Sequence, residues 1–310
     1  CLPSTLFIGL VYNGRRLSRR ISRLTLNVIL LFTSVFAVST AVIMIKASTL
    51  HPVLLAALRL FVAAAVLTPV FIREYRRHRS TYSWTQVRAS LLPGLILAAH
   101  FISWTIGARM APTANASFII GLVPLAMPFF LAILIREHLT RNEVLATAIA
   151  LGAVIVLTIA DLNLSAEYFW GDVICFVSML FYAGYMALGR KNRHFPSVWL
   201  YLVPLYAVAG AVCFVIALFL VNPLQPYSGK DIWLILGLGI IPTVIGHSLI
   251  NRAMKYFRGQ RVSIVNMGQF VFAGIQAYFV FGEIPHKPFY IASGLLAVSA
   301  VIAMQKVRRS

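Results

Sequence analysis

Ten stretches of about twenty mostly apolar residues follow one another along this chain, separated by short turns that carry most of its charge. A helix rising 1.5 Å per residue needs about twenty such residues to cross the hydrocarbon of a bilayer. The stretches fall at 25–46, 52–72, 88–108, 113–135, 142–161, 170–189, 198–221, 232–252, 262–282 and 288–305. They occupy most of the 310 residues and leave no room for a sizeable soluble domain. Mean hydropathy is +0.86, and only 8 residues are Asp or Glu. A soluble domain of this length needs far more charge. The fold class read from the sequence is therefore all-α integral membrane.

The net charge of +19 raises nucleic acid as a partner. Its placement argues against that. The basic residues stand in short clusters between apolar stretches, where lipid headgroups are the natural counterpart, and no aromatic-basic recognition module is present. Of 27 Lys and Arg, 22 fall in alternate inter-span segments, beginning with Arg15, Arg16, Arg19, Arg20 and Arg23. The exceptions are Lys46, Arg59, Arg109, Lys230 and Lys287. This asymmetry predicts ten spans with both termini cytoplasmic. Losing any one span destroys the alternation. The localisation expected is a multi-pass protein of the plasma (cytoplasmic) membrane.

Residues 1–24 read as a basic cytoplasmic leader, disordered or lying on the membrane surface. Its apolar-then-basic order is the reverse of a signal peptide. The sequence opens on Cys1 rather than Met, which suggests a trimmed or partial chain. With Cys175 and Cys213 inside spans, the cysteines form neither a disulfide framework nor a metal spacing. No cofactor is expected.

The chain also repeats itself. His100 precedes Glu137 by 37 residues, and His247 precedes Glu283 by 36. Each Glu closes a span, in LAILIREHL and AYFVFGEIP. Ser117 and Ser263 correspond as well. Residues 25–161 and 170–306 therefore read as two copies of one five-helix unit. Because five is odd, the second copy enters the membrane from the opposite side, giving an inverted repeat. Two oppositely oriented halves can rock between arrangements open to either face around a site near the midplane.

Several stretches resemble the EamA-like members of the drug/metabolite transporter superfamily. They are LLAALRLFVAAAVL around Arg59, HFISWTIGARMAPTANASFIIGLVPL, the segment ending LIREHLT, and GHSLINRAMKYFRGQRVSIV with AYFVFGEIP. Their order and spacing cover nearly the whole chain. The resemblance implies a ten-helix protein exporting or exchanging small metabolites, often amino acids. One position departs from the family's pattern. A proline about thirteen residues before the glutamate is matched by Pro124 in the fourth span, but the ninth has Gln269 and Phe270 there.

Polar side chains at mid-membrane depth are costly and face a bundle interior or a cavity. His100 and His247 lie there on the third and eighth spans. Trp104 and Asn251 follow them by four residues, on the same helix faces. Asn115, Asn266 and Gln269 are amides in apolar surroundings that must bond another helix or a solute. Tyr182, with Tyr185, is a candidate wall residue. Together with His100, Trp104, His247 and Asn251 they form the candidate substrate-binding set. The competing reading is that each polar group bonds a neighbouring helix. Arg59, in the outer half of the second span, is a candidate gate or ion-pair residue that either snorkels or meets an anion. Pro93–Gly94 and Pro242 precede the two histidines and predict bends or freed carbonyls. Glu137 and Glu283 read as groups capping or pairing at helix ends. Ala148 with Gly152, and Ser293 with Ala297, suit close packing of the fifth and tenth spans, either as a dimer face or as an intramolecular contact.

The expected function is secondary transport of a small metabolite by alternating access, as an exporter or exchanger, with membrane lipids as surroundings and a monomer or homodimer as the unit. An intramembrane enzyme is the first rival. The sequence holds no HExxH, no GxSG and no paired intramembrane aspartates. A channel is the second, and no filter-like segment is visible. No GxxxxGK[ST] segment is present, so ATP is not the direct driver.

Overall fold

Hydrocarbon offers no partner for backbone N–H and C=O groups, so an apolar span must satisfy them within itself as a helix. The computed structural model describes residues 4–161, 166–281 and 287–305, and among them every regular element is helical. Nine helical segments among the described residues are long and apolar enough to cross a membrane. They are Thr25–Ala47, Pro52–Arg77, Trp84–Met110, Asn115–Ile135, Phe169–Lys191, Val198–Leu218, Gly229–Tyr256, Gly259–Val280 and Lys287–Met304. Arg141–Asp161, 21 residues long, stands where the fifth span is expected and packs along the last. The first helix starts well before its span, running continuously from Ser4 to Ala47.

Span packing is symmetric under a shift of five. The third span packs on the sixth, and the eighth packs on the first. The second packs on the seventh and the fifth on the tenth. A contact pattern that maps onto itself when each span is replaced by its counterpart in the other half is the mark of two related units. Close approach between halves needs small side chains. A Cβ on Gly107 would lie 2.8 Å from the Cys175 sulfur, and one on Gly171 would lie 2.7 Å from the Met110 carbonyl carbon.

The fifth and tenth spans meet through Ala146, Ala150 and Ala153 facing Ala292, Leu296 and Ala303. Ser299 Oγ donates across this seam to the Ala146 carbonyl at 2.6 Å. The small-residue pairs singled out in the sequence stand beside this seam. Ala148 is exposed, and a Cβ on Gly152 would meet nothing within 4 Å. Ser293 and Ala297 instead line an apolar groove with the first and ninth spans. The packed stripe runs through 146, 150 and 153 and leaves Ala148 and Gly152 outside the seam.

Two spans are broken in matching places. The fourth divides into Thr113–Gly121 and Val123–Ile135, where Pro124 enters at the second position of the new helix. The ninth divides into Gly259–Asn266 and Gln269–Phe281. No proline is needed there. Gly268 permits the break, and its N–H bonds Val265 by a three-residue turn.

The eighth span widens into a π-helical turn, Gly239–His247, around Pro242. Proline lacks the N–H that an α-turn requires, and the wider turn absorbs the loss. Thr243 Oγ1 bonds the Leu238 carbonyl five residues back at 2.7 Å. The bend expected before His247 thus takes the form of a π-turn that leads directly into that histidine.

Candidate functional site

One small cavity, of about 20 Å³, lies at the middle of the bundle. Its walls come from both halves. Val38, Ala41, Arg59, His100, Phe101, Trp104 and Ile120 belong to the first, and Tyr182, His247 and Gln269 to the second. The two histidines, equivalent in the repeat, face each other with ring centroids 6.1 Å apart.

The histidine environments differ. His100 Nδ1 sits 2.9 Å from Ser178 Oγ and 3.1 Å from the Ser178 carbonyl on the sixth span. Its ring stacks on Tyr182 at 4.8 Å, with the planes 17° apart. It therefore both bonds a neighbouring helix and lines the cavity, so the two competing readings hold together. His247 meets the Phe101 ring edge-on at 5.0 Å and Tyr182 at 5.6 Å. Its Nδ1 is buried with no protein partner. Gln269 also lines the cavity, and its Nε2 is buried without a partner.

Arg59 is the largest fully buried side chain of the protein. Its Nε donates to Thr243 Oγ1 at 3.0 Å, a group placed by the π-turn. Its guanidinium carbon lies 4.2 Å from the centre of the Phe101 ring. Nη1 and Nη2 have no protein acceptor. It neither snorkels nor forms a gate ion pair in this structure. It stands in the cavity wall as a cation over an aromatic face.

The remaining candidates lie elsewhere. Asn251 Nδ2 bonds the Tyr185 hydroxyl and, at 2.9 Å, the His247 carbonyl. It lines a separate small pocket with Gly189, Asn192, Phe195, Tyr201 and Lys255. Four residues keep a side chain on the same stripe but move it one turn along the span, which here carries Asn251 out of the central cavity. Trp104, its equivalent, stays within it. Asn115 donates from Nδ2 to both carboxylate oxygens of Asp172, at 2.9 and 3.2 Å, near a membrane face. Asn266 is buried, and its Oδ1 has no protein partner. Phe101, Ser178 and Thr243 were not foreseen, because an aromatic or a hydroxyl in an apolar span carries no signal of its own.

Each membrane face is tied by cations reaching backbone carbonyls. At the face crowded with arginine, Arg190 gives Nε and Nη2 to Glu137 Oε2 at 3.1 and 2.9 Å. Its Nη1 reaches the Met254 carbonyl at 2.8 Å, and Lys255 Nζ reaches that of Phe195 at 2.9 Å. Glu137 is aimed by the helix end before it. Arg136 adopts a left-handed conformation, φ 53°, and the Glu137 N–H returns to the Leu131 carbonyl at 3.1 Å, closing the helix end. Glu137 Oε1 also accepts from the Gly259 N–H at 3.1 Å. At the opposite face, Arg109 donates to the carbonyls of Ile45, Leu50 and Ser48 at 3.2, 2.5 and 3.0 Å. Lys46 donates to the Ala111 carbonyl at 2.7 Å. Glu283 lies outside the described residues.

Comparison with known proteins places these features in a family. The sequence model of the EamA-like transporter family matches twice, over residues 25–159 and 169–305. An uncharacterized transporter of Archaeoglobus fulgidus is 26% identical over 251 residues, which span 80% of this chain and 85% of that one. A solved crystal structure aligns with 90% of this chain and 96% of its own at TM-score 0.72 and 21% identity, a likeness of fold.

Proposed function

Because the chain belongs to the EamA-like transporter family, we propose that this multi-pass membrane protein is a secondary carrier of a small metabolite, an exporter or exchanger working by alternating access. One observation carries the reading. The central cavity takes its walls from both halves, with the repeat-equivalent His100 and His247 opposed across it. A site so divided opens to one face or the other as the halves rock, with the rigid spans moving as bodies. The solute meets His100, Trp104, Tyr182, His247 and Gln269. It passes unchanged, and neither a cofactor nor ATP takes part.

The ties at each face suit the same cycle. Arg190 with Glu137 holds the arginine-rich face, and Arg109 with the carbonyls of the first loop holds the other. The account places the arginine-rich face and both termini in the cytoplasm, and the protein in the plasma membrane as a monomer or homodimer among lipids.

The test is counterflow in liposomes. Vesicles loaded with unlabelled amino acids and related metabolites should accumulate the matching labelled solute transiently and saturably. The double variant His100→Ala/His247→Ala should lose most of that flux. Saturable flux unchanged in the double variant contradicts the site.

A further inference from the structure

The least explained group in the protein is Arg59. It is 1% exposed, within a span whose neighbours are apolar, and two of its three nitrogens have no acceptor. The acids whose side chains the structure describes are engaged or stand at the protein surface. Glu137 holds Arg190, Glu143 holds Arg258 and Arg261, Asp172 is bonded by Asn115, and Asp231 is bonded by Ser48, Thr49 and Ser228. Glu74 lies beside Arg73 and His78 at the end of the second span, and Glu167 is exposed. A buried cation without a counterion is costly, and the cation–π contact with Phe101 offsets that cost only in part.

The geometry of what remains free is specific. Nε is committed to Thr243, so Nη1 and Nη2, buried and without a protein acceptor, form a two-pronged edge on a residue of the cavity wall. That edge fits a planar carboxylate with two parallel bonds. Two further unpartnered nitrogens, Gln269 Nε2 and His247 Nδ1, belong to the same wall. The rest is Trp104, Phe101, Tyr182, Ile120, Val38 and Ala41, an aromatic and aliphatic lining for an apolar body. No carboxylate among the described residues stands ready for a cationic solute.

We propose that Arg59 is the substrate's counterion, and that this carrier takes small solutes bearing a carboxylate on an aromatic or branched apolar body. Net cations of the same shape are excluded. The proposal rests on the carrier reading above and narrows it. A substrate that supplies the missing charge is held where both halves can reach it. Its departure leaves the guanidinium uncompensated, which favours exchange of one anion for another over an empty return.

The test uses four probes of one shape on the native protein: benzoate, phenylphosphonate, benzamide and benzylammonium. Thermal stabilisation of the purified protein and saturable uptake into liposomes are measured for each at millimolar concentration. Benzoate is expected to stabilise and to be carried. Benzamide and benzylammonium are not. Arg59→Gln should weaken benzoate binding by about ten- to a hundredfold, the worth of lost hydrogen bonds to a charged group, and Arg59→Lys should recover part of it. If Arg59→Gln fails to fold, the native series alone decides. Stronger binding of phenylphosphonate overturns the carboxylate assignment. Binding of benzylammonium equal to benzoate, an affinity indifferent to Arg59→Gln, or no binding of any probe overturns the proposal. Saturable flux of the amide or the amine alone would leave the carrier standing and remove this reading of Arg59.

Discussion

Replacing Glu137 by Gln keeps the shape of the side chain and removes the charge that Arg190 meets at 2.9 Å. The two side chains are 11% and 7% exposed, so the pair is largely shielded from solvent. Breaking one partner of such a pair costs about 3 kcal/mol, since the other charge is left buried. The cost falls only on the arrangement in which the pair is made. If the ends of the fourth and sixth spans part when the arginine-rich face opens, the variant shifts the balance toward that open state by up to about a hundredfold. Val198 lines the pocket at this face, so a cysteine there reports access. In a Cys1→Ser/Cys175→Ser/Cys213→Ser background, Val198→Cys should react with a maleimide much faster once Glu137→Gln is added. Glu137→Gln combined with Arg190→Met should restore slow labelling in part, because no orphaned charge remains. A double-mutant cycle on thermal stability gives the coupling independently. Coupling in stability with no change in labelling would make the pair a structural clamp and refute its part in opening.

Three other outcomes follow from the packing. Arg109→Ala removes all three bonds to the carbonyls of Ile45, Ser48 and Leu50. It should raise labelling of Ala41→Cys from the opposite membrane face and slow that of Val198→Cys, as read by an impermeant maleimide on oriented vesicles. Gly107→Leu forces a side chain into Cys175, with a Cβ contact already at 2.8 Å. It should abolish folding or lower Tm severely, whereas Gly152→Leu, with nothing within 4 Å, should be tolerated. Thr243→Val takes the sole protein acceptor from Arg59 Nε. It should cost about 1.5–3 kcal/mol of stability, measured by denaturation in detergent.

The ten spans were legible because a membrane helix has no way to hide its apolar length, and the expected limits differ from the observed ones by a few residues. The repeat was legible for a different reason: polar groups are scarce in such spans, so His100 and His247 stand out and their spacing can be compared. Their meeting across the halves followed from that spacing. Depth was not legible. Asn251 shares a stripe with His247, and Asn115 a span with Ile120, yet both lie a turn or more from the cavity and bond Tyr185 and Asp172. Helical period gives the face of a residue but not its partner. The broken fourth and ninth spans were hidden as well, since one Gly or Pro in an apolar run reads equally as a passive kink. Arg59 read as a snorkelling or paired residue in the outer half of its span, and only the arrangement of neighbouring spans reveals that it is buried in the cavity wall with Nη1 and Nη2 unbonded.

The central claim is that one cavity between two related halves is reached from either side of the membrane in turn. Ala41 lines that cavity without a polar role. An Ala41→Cys variant in the cysteine-substituted background, reconstituted in one orientation, is treated with an impermeant maleimide from each side separately. The account predicts slow labelling from both sides, slowed further by a transported solute. Labelling from one side only, with or without solute, would contradict it.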